Sequence, residues 1–341
     1  YDGSRKEAVR FNASVPTVLL NGDSGIAVGF ATKLAPHNLR EIAAAITDPK
    51  KASQLIPDFP TGCNIVADEE LEKYKQTGTG NIRCRATLTT GIQKRDGRAK
   101  NRPTLTFSNL PPGVNPEKLG EQIRDCLEKG KLDGIAEIID ESDLSGDRLT
   151  VVGKVDCGVG RLSQLLYHYT DLDTRYAARS LVIDSLKPVE LSPAQMLAKW
   201  GEWRMAVLAR KFQHELDIAN ARLHIVEGFI TAISKIDVII KLIRSCDSKS
   251  EALIKLVDKP HKFTRDQASA ILEMRLHQLT NIDANALRNE KTTLWDVISE
   301  LKELIKDDKA RRAYMIKGIK SHAVRHGERR RCEVIDCLLY T

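Results

Sequence analysis

The sequence predicts an α+β protein: a mixed α/β first part, followed by two long antiparallel helices with a compact helical insertion between them. Three observations carry that reading. Between Asn81 and Thr90 the residues alternate, with Ile82, Cys84, Ala86 and Leu88 on one side and Arg83 and Arg85 on the other, the period of a half-buried strand. Further strand-like and helix-like segments then follow in the order expected of an α+β layer. From Ser192 onward apolar residues recur every three or four positions, at Leu208, Phe212, Leu216, Ala219, Leu223, Val226 and Ile230 and again at Leu287, Leu294, Ile298, Leu301 and Ile305. These are amphipathic stripes, and two of them flanking an insertion fit an antiparallel helix pair.

Taken in order, Gly91 to Arg102 is polar and basic and reads as a hairpin-like excursion, with Thr104 to Phe107 as the return strand. Asn115-Pro116-Glu117 is a helix start, with Asn as cap and Pro at the first position. Leu119, Ile123 and Leu127 form its apolar stripe. Ile135 to Ile139 and Leu149 to Val155 are strands, and Gly160 to Tyr169 is a short helix. Asp140-Glu141-Ser142-Asp143 offers the hard oxygen ligands Mg²⁺ prefers, but its place between two strands favours an acidic turn. Ser192-Pro193 starts the first long helix, and Thr264-Arg265-Asp266-Gln267 has capping character inside the insertion. The stretch Lys309 to Arg331 holds nine Lys or Arg against Glu328 alone, the pattern of a solvated basic face. The predicted divisions are 1–40, 41–190, 191–230 with 286–320 as the paired helices, 231–285 as the insertion, and 321–341 as a basic tail.

The 341 residues allow two or three domains. Apolar and charged contents of 42% and 29% are ordinary for a soluble globular protein, and 5% aromatic content suits aliphatic cores. A net charge of +7 is a modest excess compatible with a polyanionic partner. No apolar stretch reaches the length of a membrane span, and the opening Tyr-Asp-Gly-Ser-Arg-Lys does not read as a signal peptide. Seven cysteines at irregular spacing, without a C-x-x-C pair, point to reduced thiols and a cytosolic protein. Cys332 and Cys337 lie near His322 and His326, but not at a zinc-site spacing.

The most informative stretch is Val18 to Leu39. An apolar run, Val18 to Leu20, feeds a turn built on Gly22, Gly25 and Gly29, with Ile26 alone among the glycines and Asp23 close by. Glycine permits positive φ and close approach of another molecule, and an apolar side chain held on such a loop can act as a wedge. The Gly-Lys-Ser/Thr ending of a phosphate-binding loop is missing. A buried isoleucine in a βα turn is the alternative that these residues alone leave open.

Asn21-Gly22, Gly25-Ile26-Ala27-Val28-Gly29, Ala31-Thr32 and Pro36-His37-Asn38-Leu39 together resemble the A-subunit signature of type IIA DNA topoisomerases, the DNA gyrase and topoisomerase IV family. Phe30 stands where the family usually has Met, and Leu34-Ala35 replaces a more proline-rich pair. Further resemblances follow in the family's order: Tyr1-Asp2-Gly3, Asp140 to Asp143, Tyr167 to Leu172, Ala221 to Phe229, Gln267 to Thr280 and Gly327 to Ile335. The resemblance implies the end of a winged-helix region, a tower domain, coiled-coil arms and a helical exit-gate tip. It assigns Ile26 as the residue that intercalates and bends DNA, on a loop with Ser24 and Gly25. Lys33 and an exposed Arg83/Arg85 strand face are further expected to meet phosphates, which position a protein without reading sequence, with ordinary surface arginines as the alternative for Arg83 and Arg85. Ile271, Met274, Leu276 and Leu279 would make the two-fold contact of the exit gate.

The family passes one duplex through a transient break in another. A tyrosine attacks a DNA phosphate with metal ions stabilising the charge. The resemblance places Mg²⁺ and ATP on an ATPase/Toprim partner protein. It also implies a cytoplasmic protein of bacterial or viral origin that binds double-stranded DNA as a homodimer, without a membrane. In the family the nucleophile belongs to an Arg-Tyr pair upstream of the glycine signature. Arg175-Tyr176 is not that pair, because it follows the tower segment Tyr167 to Leu172, where the family carries a packing aromatic; Tyr1 belongs to a later loop. No catalytic residue or metal ligand is therefore expected here: the chain reads as a fragment that binds DNA without cleaving it. A non-catalytic, DNA-binding architectural protein with a dimerising coiled coil remains the alternative. An unrelated coiled-coil scaffold would leave the glycine signature unexplained. Gyrase, topoisomerase IV and a viral relative are not separated.

Overall fold

A computed structural model describes residues 3–4, 7, 12–93, 101–144, 146–155, 157–184, 186–258, 261–273 and 281–336, with backbone alone for 281–284. The chain divides into two compact units, Tyr1–Glu202 with Ile316–Thr341, and Trp203–Met315.

The first unit opens with α1 (Thr17–Asn21), the hairpin strands β1 (Asp23–Ala27) and β2 (Phe30–Leu34), α2 (Leu39–Ala45) and α3 (Pro49–Ala52). Next come β3 (Asn64–Ala67), α4 (Glu69–Thr77), β4 (Thr79–Arg85), β5 (Thr87–Gln93), β6 (Arg102–Ser108) and α5 (Pro116–Glu128). Then follow β7 (Ile135–Asp140), β8 (Arg148–Gly153), α6 (Val159–Tyr169), β9 (Asp173–Arg179), β10 (Leu181–Asp184) and β11 (Lys187–Glu190). Caps explain where the helices begin. Asn115 accepts from the Glu117 amide at 2.8 Å and Asp68 from the Leu71 amide at 3.0 Å, each satisfying an amide that a helix start leaves unpaired.

Among the described residues, two hydrophobic cores of this unit are built on its two larger sheets. A six-stranded sheet in the order β1-β2-β9-β4-β3-β12 is completed by β12 (Val334–Asp336). Phe59, Ile65, Leu71, Tyr74, Ile82 and Cys84 pack against it. A four-stranded sheet, β5-β6-β8-β7, packs with α5 and α6 around Leu105, Phe107, Leu119, Ile123 and Leu166. The alternating run that reads as one strand is two strands in two sheets. The Ala86 amide donates to Leu172 O at 2.8 Å, so Ile82 and Cys84 face the first core while Ala86 and Leu88 meet the second. The acidic run Asp140 to Asp143 lies in the β7–β8 connection. Asp140 accepts from the Ser142 amide and hydroxyl at 3.0 and 2.5 Å, and Glu141 accepts from Thr150 Oγ1 at 2.8 Å.

Residues 327 to 336 lie across the start of the same unit. Asn38 Nδ2 and Arg40 Nε donate to the carbonyls of Glu328 and Gly327. Arg330 pairs with Glu41 at 2.8 Å. Asp58 accepts from the Arg331 and Cys332 amides. β12 then runs parallel to β3, with Val334 opposite Ile65.

The second unit is helical. α7 (Pro193–Ser234) leads into it as 42 continuous residues. Its start is closed reciprocally: the Ser192 amide donates to Gln195 Oε1 at 2.9 Å and the Gln195 amide to Ser192 Oγ at 3.3 Å. The stripe read from sequence is buried from Leu208 to Val226. α8 (Ile236–Arg244), α9 (Lys249–Val257) and α10 (Arg265–Leu272) follow. Thr264 and Gln267 form a capping box at the start of α10. Ala232, Ile239, Leu256, Phe263, Ala268 and Ile271 make its core. α11 (Asn281–Lys306) is tied to α7 by Arg222–Glu290 at 2.7 Å and Lys291–Glu227 at 3.0 Å. α12 (Asp308–His326) begins after Asp307, where buried Arg311 donates to the carbonyls of Leu304 and Ile305 at 3.1 and 2.9 Å, closing the free end of α11.

Candidate nucleic-acid interface

The glycine-rich stretch is an antiparallel hairpin, not a βα turn. Asp23 pairs with Leu34, Ser24 with Lys33, Ile26 with Ala31 and Ala27 with Phe30. Val28 and Gly29 form the turn, and Gly29 takes φ +82°, a conformation open chiefly to glycine. Gly22 leads in at φ +67°, where a Cβ would stand 2.5 Å from Leu34 O. All five residues of β1 are exposed.

Ile26 is 96% exposed, Val28 is wholly exposed and Phe30 is 50% exposed. An exposed isoleucine forgoes about 1.5–3 kcal/mol of burial, and clustered apolar exposure marks an interaction surface. The pairing puts Ser24, Ile26, Ala31 and Lys33 on one face of the ribbon. A groove of about 690 Å³ lies along the hairpin, lined among others by Ile26, Lys33, Lys73, Asn81 and Arg179. Asp23, whose charge the sequence leaves without a role, accepts from the Ser24 amide at 2.8 Å.

Lys33 is exposed, with Nζ 4.2 Å from the centre of the Tyr176 ring. Tyr176 is half-buried. It packs on Phe59 at 4.9 Å and donates its hydroxyl to Leu34 O at 3.2 Å. Burial pushes its hydroxyl up to about 12, the opposite of an activated nucleophile.

The expected exposed face of Arg83 and Arg85 is corrected by the structure. Arg83 donates through Nε and Nη2 to Asp173 at 2.8 and 2.9 Å, and Arg85 Nε to the same carboxylate at 2.8 Å. Arg85 is 9% exposed and lies 5.0 Å from the Tyr167 ring centre. Both charges face a buried acid on β9, 88 to 90 positions away in sequence. Ile271 also departs from an exposed apolar tip: it is buried in the second unit's own core. Met274, Leu276 and Leu279 lie outside the described residues. Val28, Phe30, Lys73, Arg179 and His37 escaped the sequence reading as site residues. Only the apolar Val28 and Phe30 beside glycine carried a local signal.

A family model described as the A subunit of DNA gyrase/topoisomerase IV matches residues 1–320. The chain belongs to the family of DNA gyrase and topoisomerase IV A subunits. It is 34% identical over 318 residues to the DNA gyrase A subunit of Chlamydia pneumoniae, covering 90% of this chain and 38% of that protein. It is 35% identical over 318 residues to the DNA topoisomerase 4 A subunit of Streptococcus pyogenes serotype M18, with coverages of 90% and 38%. The chain thus spans less than half the length of these curated relatives.

In this member of the gyrase/topoisomerase IV family, the hairpin base rests on a buried imidazole. His37 is 2% exposed, with Nδ1 3.1 Å from Leu19 O and Nε2 3.3 Å from Tyr74 Oη. Desolvation, opposed by the Leu19 bond and reinforced by the Arg330 charge, lowers its pKa from 6.5 to about 4. The folded form therefore holds His37 neutral while the unfolded chain protonates it below about 6.5. Its contribution is present above pH 6.5 and is lost as pH falls toward 4. Urea unfolding of the parent should accordingly lose up to about 3 kcal/mol more over that window than His37→Gln does. Equal losses would refute the assignment.

Proposed function

We propose that this chain is part of the DNA breakage–reunion subunit of an ATP-dependent type II topoisomerase, in which it binds and bends a DNA segment. The observation that carries this reading is Ile26, almost fully exposed on a hairpin at the sheet edge. Side chains of this kind enter a base step and kink the duplex. Lys33, in the groove beside it with Lys73 and Arg179, supplies positive charge for the phosphates. Ser24 and Gly25 share the ribbon with Ile26 and let the backbone approach. Arg83 and Arg85 brace β4 against β9 instead of contacting DNA.

The relatives are named as A subunits of gyrase and topoisomerase 4, which supports assigning ATP and Mg²⁺ to an ATPase/Toprim partner. Among the described residues no group of three or more His, Cys, Asp or Glu is placed to hold a metal ion. α7 and α11 serve as paired arms. The segment after α10, carrying Met274, Leu276 and Leu279, makes the proposed exit-gate contact between two copies, with Ile271 supporting it from within.

Ile26→Ala is the test. A duplex labelled at both ends reports its bend by energy transfer, and a side-chain wedge bends DNA by about 20–90°. The variant is expected to leave the duplex close to its free shape while sedimenting like the parent. Bending equal to the parent's would overturn the wedge.

A further inference from the structure

We propose that His37 is a positioning residue, a clamp that closes the base of the Ile26 hairpin and fixes how Ile26 is presented to DNA. The clamp rests on the assignment of Ile26 as the bending residue. Its geometry stands on the fold. Leu19 lies on α1, just before β1, and His37 lies just past the end of β2. One imidazole thus joins the chain entering the hairpin to the chain leaving it. α1 has only five residues, and its last carbonyls have no partner within the helix. Leu19 O is taken up by His37 instead.

The tautomer follows from the partners. A carbonyl can only accept, so Nδ1 carries the proton and donates to Leu19 O. Nε2 is then a lone pair and accepts from the Tyr74 hydroxyl. Tyr74 belongs to α4 and is fully buried in the core that packs on the six-stranded sheet. The clamp is therefore anchored to a helix and to the sheet that carries the hairpin. An aliphatic side chain would fill the same space but hold neither end. Among buried side chains here, His37 alone bonds the chain before β1 while lying just after β2 among the described residues.

Two substitutions separate the halves of the clamp. Asparagine places an amide near Nδ1 and keeps the bond to Leu19. Glutamine reaches toward Nε2 and keeps the contact with Tyr74. Hydrogen exchange of residues 22 to 34 reads the clamp without DNA. His37→Gln is expected to exchange there about fivefold faster than His37→Asn, the factor for one lost hydrogen bond, at similar melting temperatures. On labelled duplex, His37→Asn should bend like the parent and His37→Gln should approach Ile26→Ala. Equal exchange in the two variants, or loss of bending that only tracks melting temperature, overturns the clamp. Faster exchange in His37→Gln together with unimpaired bending by Ile26→Ala upholds the clamp and overturns the wedge.

Discussion

Asp173→Ala is expected to destabilise the first unit by about 3–5 kcal/mol, measured as a lower urea midpoint at unchanged slope. The Asp173 side chain is 5% exposed and faces two guanidinium groups, Arg83 at 2.8 Å and Arg85 at 2.7 Å. Removing a buried acid leaves its partners' charges uncompensated, which costs far more than losing a surface pair. Asp173 pairs with Arg85 across the β4–β9 ladder, so the loss falls where the six-stranded sheet meets the turn into β5. The same geometry makes a second forecast. Arg83→Gln should lower stability while leaving the salt dependence of DNA binding as it is, whereas a phosphate-contacting arginine would reduce the logarithmic salt slope by about 1. A reduced slope with intact stability would restore Arg83 to the DNA surface.

Gly78→Ala is expected to cost about 2–5 kcal/mol, combining about 1–2 for a left-handed residue bearing a Cβ with about 1–3 for overpacking. Gly78 ends α4 at φ +78°, and a Cβ there would stand 2.0 Å from Leu191 O and 2.9 Å from Ser180 Cβ. The Leu191 atom is backbone and cannot rotate away. The collision would push on the residues just before the Ser192 cap of α7. Thermal denaturation should show the loss, and a variant as stable as the parent would mean that this junction yields freely.

Elements made by local contacts are legible in the sequence. α5 begins at its Asn-Pro cap and α7 at Ser192-Pro193, because the signals for a helix start lie within four residues. β6, β7 and β8 follow their apolar runs. What escapes depends on distant partners. Nothing near Arg83 says that Asp173 lies opposite it, so an alternating strand with two arginines reads as a solvated face. The break at Ala86 is hidden because the period of two continues through it while the core it serves changes. The proposal of Ile26 as a wedge comes from its glycines and a family likeness; its exposure is a property of the hairpin pairing. His37 looks like part of a motif, and its role rests on Leu19 and Tyr74, 18 and 37 positions away.

The strand that completes the six-stranded sheet is also the last of the six to be synthesised. β3 is made by Ala67, yet its parallel partner β12 spans Val334–Asp336. Until then β3 has an open edge, and Asp58, Glu41 and Asn38 await partners from residues 328 to 332. Closing so long a loop slows assembly more than it weakens the finished fold. A nascent chain stalled before residue 327 should therefore expose that edge to foreign strands, and a synthetic peptide of residues 327 to 336 supplied in trans should compete for it.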